Sequence, residues 1–346
     1  MQKDLATNWT VCKYLIVSSF QLVIVSVNQP LSSDTKIRPL EAARQQVGGI
    51  VAAALTPVTD DYRIDIARWR AHLDWLLAQG CSYVSPFGST GEGPSFSAIE
   101  KIEALTALRH GGFDMERVIP AAMSAALDDT AATVSAAARL GCRAALIVPP
   151  YYYGASGEGI ATYFAGCAAR LGGTFPIDIV LYHIPQMSRA PFTTGLIEAL
   201  LARHGERIIG IKDSTGVEPD TVALAGRFPS LRVFTGDDRV LPPLLGVGGA
   251  GMIGGMPNIV ARELVGRAGS QTALNEAAAV DRAARRIEAV EACGGVVALK
   301  ALKARMADDP AWRRPMPPLL PIDPAAEARL ISAFEATRFD FAAQSD

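Results

Sequence analysis

Patterns that would bind a metal or build a disulfide scaffold are missing from these 346 residues. The five cysteines (Cys12, Cys81, Cys142, Cys167 and Cys293) form no C-x-x-C pair and no regular framework, so free thiols in a reducing, cytoplasmic compartment are expected. The four histidines (His72, His110, His183 and His204) are equally dispersed, none at ligand spacing from another His or Cys, and no metal is expected. Lysine and arginine form no block and the formal net charge is only -2, which argues against nucleic acid or an anionic membrane surface as a partner. A small, neutral or weakly acidic molecule fits better.

Long apolar runs are also scarce. The one awkward stretch, "CKYLIVSSFQLVIVSV", is apolar enough to mimic a signal-peptide core, but polar residues interrupt it and no A-x-A-like cleavage site follows. It is short for a spanning helix. Three readings stand for residues 1–46: an artefactual or poorly ordered extension, a secretion signal, or a membrane anchor. Nothing that suggests chemistry precedes Gly48.

What is present is a rhythm. With 49% hydrophobic and 20% charged residues, the composition is that of a globular enzyme-sized chain. From residue 49, eight short apolar runs alternate with segments of helical period: "GIVAAALTPV", "CSYVSPFGS", "RVIPAAMS", "RAALIVPPYYY", "IDIVLYHIP", "RIIGIKDST", "LRVFTGDD" and "GAGMIGG". In "IDIARWRAHLDWLLAQG", Ile66, Trp69, Leu73, Leu76 and Leu77 share one face and Gly80 suits a left-handed end. "SAIEKIEALTALRHG" opens with a capping box, Ser97 and Glu100.

Near-continuous apolar strands alternating with helices mean a parallel sheet, and eight units in roughly 220 residues match a (β/α)₈ TIM barrel, with a doubly wound open sheet as the alternative. The expected organisation is an extension over 1–46, the barrel over 47–270 and additional C-terminal helices over 271–346, with the Pro-rich "RRPMPPLLPIDP" as a connection among them. "GVGGAG" satisfies G-x-G-x-x-G, but it precedes a strand near the end of the pattern instead of following the first one, so it reads as a turn.

Functional side chains of such a barrel gather at the carboxyl ends of its strands. The second run ends in Ser89 and Thr90, the fourth in Tyr151, Tyr152 and Tyr153, the fifth in Tyr182 and the sixth in Lys212. An amine, phenols and a small hydroxyl loop, without a metal or a nucleotide loop, suggest Schiff-base chemistry on a keto acid. A lysine among apolar neighbours has its ammonium form disfavoured, so more free amine is available to attack a carbonyl carbon. A tyrosine beside it can shuttle protons, and a Gly-Ser-Thr-Gly turn can present N–H groups to a carboxylate. Taken singly, each has a plainer explanation: Lys212 paired with Asp213, the tyrosines packing at an interface, Tyr182 a core ring, His183 a supporting imidazole.

Together these motifs resemble the dihydrodipicolinate synthase and N-acetylneuraminate lyase family of class I aldolases. "GSTGE" resembles its G-[ST]-T-G-E loop, "PYYY" its aromatic pair, "YHIP" its Y-N-x-P and "GIKDSTG" its Schiff-base lysine segment, in order from about Gly48 to "RRPMPPLLPI". The resemblance implies a (β/α)₈ barrel with C-terminal helices, usually a homotetramer, and no cofactor beyond a covalent imine. It implies that Lys212 forms the imine with pyruvate or a related 2-oxo acid and that Tyr182 donates and accepts protons. Ser89 and Tyr152 would complete a hydroxyl relay, with Tyr152 reaching across a dimer interface, and Thr90 and the main chain near Ile253 would hold the carboxylate.

The departures bear on the second substrate. Synthases of this family carry an arginine two residues after the proline of Y-N-x-P; here Met187 stands there, with Arg189 two residues further on. His183 replaces the usual asparagine, and Tyr153 stands where synthases often have Asn, a pattern closer to the lyases. "KDST" resembles members acting on 2-keto-3-deoxy sugar acids. A lyase or dehydratase on such a 2-oxo acid is the expectation, with the synthase reaction and a non-catalytic barrel as alternatives.

Overall fold

A computed structural model describes residues 47–274 and 276–344; the readings of residues 1–46 fall outside them. Each of the eight apolar runs carries a strand: β1 Gly49–Ala53, β2 Tyr83–Ser85, β3 Ala121–Ala122, β4 Ala145–Ile147, β5 Ile179–His183, β6 Ile208–Asp213, β7 Arg232–Thr235 and β8 Gly251–Gly254. All pair in parallel in the order β2-β1-β8-β7-β6-β5-β4-β3. A bridge between Val84 and Val118, and bonds from Ile119 N to Val84 O (2.9 Å) and Ala121 N to Pro86 O (2.9 Å), bring the two edges together. The sheet is a nearly closed (β/α)₈ barrel rather than an open doubly wound one.

The intervening helices are α1 Ile66–Ala78, α2 Ala98–His110, α3 Leu127–Leu140, α4 Gly157–Arg170, α5 Thr194–His204, α6 Glu218–Arg227, α7 Leu241–Gly246 and α8 Pro257–Ala268. Local chemistry explains their ends. Asp65 caps α1 and Gly80, at φ 95, lets the chain turn back after it. The capping box of α2 is complete, with Ser97 and Glu100 each bonded to the other's backbone N–H. "GVGGAG" is the turn between α7 and β8. After a single helical turn at Gln271–Leu274, three longer helices, α9 Ala277–Ala292, α10 Val296–Ala307 and α11 Pro324–Ala336, follow the barrel, with the Pro-rich segment between the last two.

Two buried polar knots hold the ends of the barrel. At the amino end, Asp178 accepts from Arg143 (2.8 Å) and Arg207 (3.3 Å), which ties the chain entering β4, β5 and β6. At the carboxyl end, the Asn258 carboxamide donates to Ala53 O (2.8 Å) and Gly255 O (2.7 Å) and accepts from Leu55 N (3.0 Å) and His72 Nε2 (2.8 Å). Burial pushes the His72 imidazole down to about 3, so it serves as a neutral Nε2–H donor linking α1 to β1 and β8.

One irregularity decides where the side chains at the end of β6 point. Between β5 and β6 the register runs Ile179 to Ile208 and then Val180 to Gly210, so β6 carries one extra residue, Ile209. Ile208 and Ile211 pack outward under the helices, whereas Ile209 packs inside the barrel with Val180 and Ile253. Strict alternation from Ile209 would send position 212 outward; the extra residue turns Lys212 inward, level with Tyr182 on β5 and Phe234 on β7.

Gly210 permits this, because a Cβ there would stand 2.5 Å from the backbone oxygen of Arg232 on β7. Gly210→Ala is therefore expected to displace the end of β6. A misplacement on the order of 1 Å costs about 10²-fold in rate, so kcat should fall by about that factor while the chain still folds. Steady-state kinetics alongside a thermal melt would check it.

Candidate active site

Lys212 sits at the carboxyl end of β6, 4% exposed, and makes no ion pair among the described residues. Its Nζ stands over the face of Tyr182, 4.1 Å from the ring centroid. Asp213, one residue on, faces the other way. Its carboxylate accepts from Thr215 N (3.1 Å), Thr215 Oγ1 (2.9 Å) and Thr221 Oγ1, and lies 3.3 Å from His183 Nδ1. These bonds hold the Asp213 carboxyl below its usual range even though burial alone would raise it. The simple Lys212–Asp213 pair is thus excluded by the alternation of the strand, and His183 supports Asp213 behind the site.

The Tyr182 hydroxyl meets Ser89 Oγ at 3.0 Å, so Lys212, Tyr182 and Ser89 form one continuous amine–phenol–hydroxyl series. Ser89 lies in "GSTGEG", a loop whose anchoring has no signature in the sequence. Glu92, at φ 54, is buried against Lys300 of α10 and accepts from Met316 N at 2.6 Å, while Lys300 Nζ also donates to Arg314 O at 2.8 Å. The C-terminal helices therefore anchor the loop that carries Ser89. Glu92→Ala would leave the Lys300 ammonium buried and unpaired, at an expected cost of about 3–5 kcal/mol. Denaturant unfolding should show that loss, and the double variant Glu92→Ala with Lys300→Met should recover most of it.

The remaining expected site residues divide. Thr90 comes close to the end of β8, where a Cβ on Gly255 would lie 3.1 Å from Thr90 Oγ1, and Ile253 is fully buried inside the barrel on the same strand. Tyr152 does not join the series within this chain: it is 78% exposed at φ 88, edge-on to Tyr153 at 5.1 Å. The tyrosine of that triplet facing inward is Tyr151, which packs against the barrel interior and lines a cavity of about 480 Å³ over the ends of β2 to β5, together with Ser89. The resemblance singles out Tyr152 of the triplet; nothing in the sequence points to Tyr151 as the one that faces inward.

This constellation can be set beside known proteins. The model of the dihydrodipicolinate synthetase family matches residues 46–335. The chain belongs to that family. Within the dihydrodipicolinate synthetase family, it is 35% identical over 298 residues to an uncharacterised DapA-like lyase of Chloroflexus aurantiacus, covering 83% of this chain and 96% of that protein. The crystal structure of dihydrodipicolinate synthase from Agrobacterium tumefaciens superposes with a TM-score of 0.77 at 27% identity, covering 84% of this chain and 99% of the other. A variant of the 2-keto-3-deoxygluconate aldolase of Sulfolobus solfataricus shares the fold, with a TM-score of 0.74 at 23% identity over 84% of this chain and 96% of that one. The chain is an enzyme, a carbon–carbon or carbon–oxygen lyase of the dihydrodipicolinate synthetase family.

The departures seen in the sequence have definite places. Met187, 68% exposed, lines the cavity. Arg189 is exposed in the left-handed conformation at φ 55 and does not line it. Among the described residues no three His, Cys, Asp or Glu side chains are grouped to hold a metal ion, and no helix is long and apolar enough to cross a membrane.

Proposed function

We propose that this chain is a class I lyase that makes and breaks a carbon–carbon bond of a 2-oxo acid through an imine on Lys212. The observation that carries this is the buried Lys212 amine, without a carboxylate partner among the described residues, placed over Tyr182, whose hydroxyl is bonded to Ser89. The lone pair on Nζ adds to the C2 carbonyl carbon. Tyr182 supplies the proton with which the carbinolamine oxygen leaves as water, giving the imine. Ser89 passes protons to and from the phenol.

In the cleavage direction the phenolate of Tyr182 takes the proton of the C4 hydroxyl. The C3–C4 bond breaks, its electron pair moves through C3–C2 to the imine nitrogen, and an aldehyde leaves. The enamine then takes a proton at C3, and water hydrolyses the imine to release pyruvate and restore the amine. Thr90 and the main chain about Ile253 hold the carboxylate in this scheme, with the close approach of Thr90 to Gly255 leaving no side chain in its way. Tyr152, turned outward, extends the proton relay of a neighbouring copy in a homo-oligomer.

The synthase reaction on aspartate semialdehyde fits less well, because no arginine lines the cavity that would receive that aldehyde's carboxylate. The test is to assay the purified chain for pyruvate release from 4-hydroxy-2-oxo acids and, in parallel, for condensation of pyruvate with aspartate semialdehyde. Release of pyruvate with weak condensation is expected; turnover dominated by the condensation would establish the synthase instead.

A further inference from the structure

The cavity that Ser89 lines, one hydrogen bond from Tyr182, has a chemistry of its own. Its walls come from the ends of β2 to β5, and its outer side from the turn before α10 and the Pro-rich segment: Met123, Val148, Ile184 and Met187 below, Val296 and Leu319 above. The polar side chains in the lining are nearly all committed. Ser89 is bonded to Tyr182, Glu92 is paired with Lys300, Ser188 donates to Ile184 O at 3.0 Å, and the Tyr151 oxygen accepts from the backbone of Ala125, which leaves its O–H to donate. Ser95 and the Tyr151 O–H are the remaining hydroxyl donors, and no arginine or lysine is in the lining.

From this we infer that the part of the substrate beyond C3 is an uncharged, mainly apolar group, such as an aryl or branched alkyl substituent carried in by its aldehyde. This rests on the imine reading of Lys212 and departs from the polyhydroxylated substrate that "KDST" suggested. A sugar-acid tail brings several hydroxyls out of water, and each needs a partner that a lining with only the Ser95 and Tyr151 hydroxyls to spare does not fully supply. A carboxylated tail needs a cation, and the position that offers one in synthases is filled by the thioether of Met187. An apolar tail instead gains from covering Met123, Val148, Ile184 and Leu319.

The experiment uses the full chain with pyruvate and four aldehydes: benzaldehyde and isobutyraldehyde as apolar, glyceraldehyde as hydroxylated and succinic semialdehyde as carboxylated. The apolar pair should exceed the other two in kcat/KM by about tenfold or more. Borohydride trapping of pyruvate on Lys212 in the same preparation separates the two levels. Trapping accompanied by a preference for glyceraldehyde or succinic semialdehyde, or by equal rates, overturns the apolar assignment alone; absence of trapping overturns the imine and this inference with it. Met187→Arg should move the ratio toward succinic semialdehyde by about tenfold, the scale of a charge-assisted hydrogen bond. An unaltered ratio would place the aldehyde's carboxylate outside this cavity and overturn the assignment.

Discussion

Lys212→Ala is expected to lose turnover by on the order of 10⁴-fold or more while folding at least as stably as the native chain. The two effects have one cause. Among the described residues the native lysine is buried without an ionic partner, over Tyr182 and beside Phe234, and desolvating an amine there costs stability that alanine does not. In the proposed mechanism the amine supplies reactivity, since the covalent step needs a nitrogen lone pair at the end of β6. Lys212→Arg should fail as completely, because a guanidinium stays protonated and presents no nucleophile. Kinetics on both variants beside a thermal melt checks the pair of effects. Residual turnover near native in either variant would assign the chemistry to another group.

Tyr182→Phe keeps the ring beneath Lys212 Nζ and removes only the hydroxyl bonded to Ser89. The expected loss in kcat is about 10²–10⁴-fold, the usual worth of a positioned general acid–base, with a much smaller change in KM. The imine should still form, only slowly, since the phenol hastens loss of water from the carbinolamine but is not covalently involved. A rise in KM with kcat intact would instead make Tyr182 a binding residue.

The barrel was legible because its signal is repetitive. Each apolar run bears a strand, and the helix ends rest on local chemistry such as the Ser97–Glu100 box and Gly80. The direction of Lys212 was not legible. β6 is apolar on both faces, so Ile208, Ile209 and Ile211 look equivalent in sequence, and the extra residue shows only in the pairing with β5. Contacts between distant segments were equally hidden: Glu92 with Lys300, and Asn258 with His72, join residues whose separation carries no pattern. The replacement of arginine by Met187 was plain in the sequence, whereas the apolar character of the cavity it lines required the turn before α10 and Leu319 to be brought over the strand ends.

The most direct measurement is reduction with borohydride in the presence of pyruvate, followed by peptide mapping by mass. The expected result is a single reduced pyruvyl adduct on Lys212, present in the native chain and missing from Lys212→Ala. An adduct on any other lysine, or none across a range of pH, would contradict an imine at the end of β6.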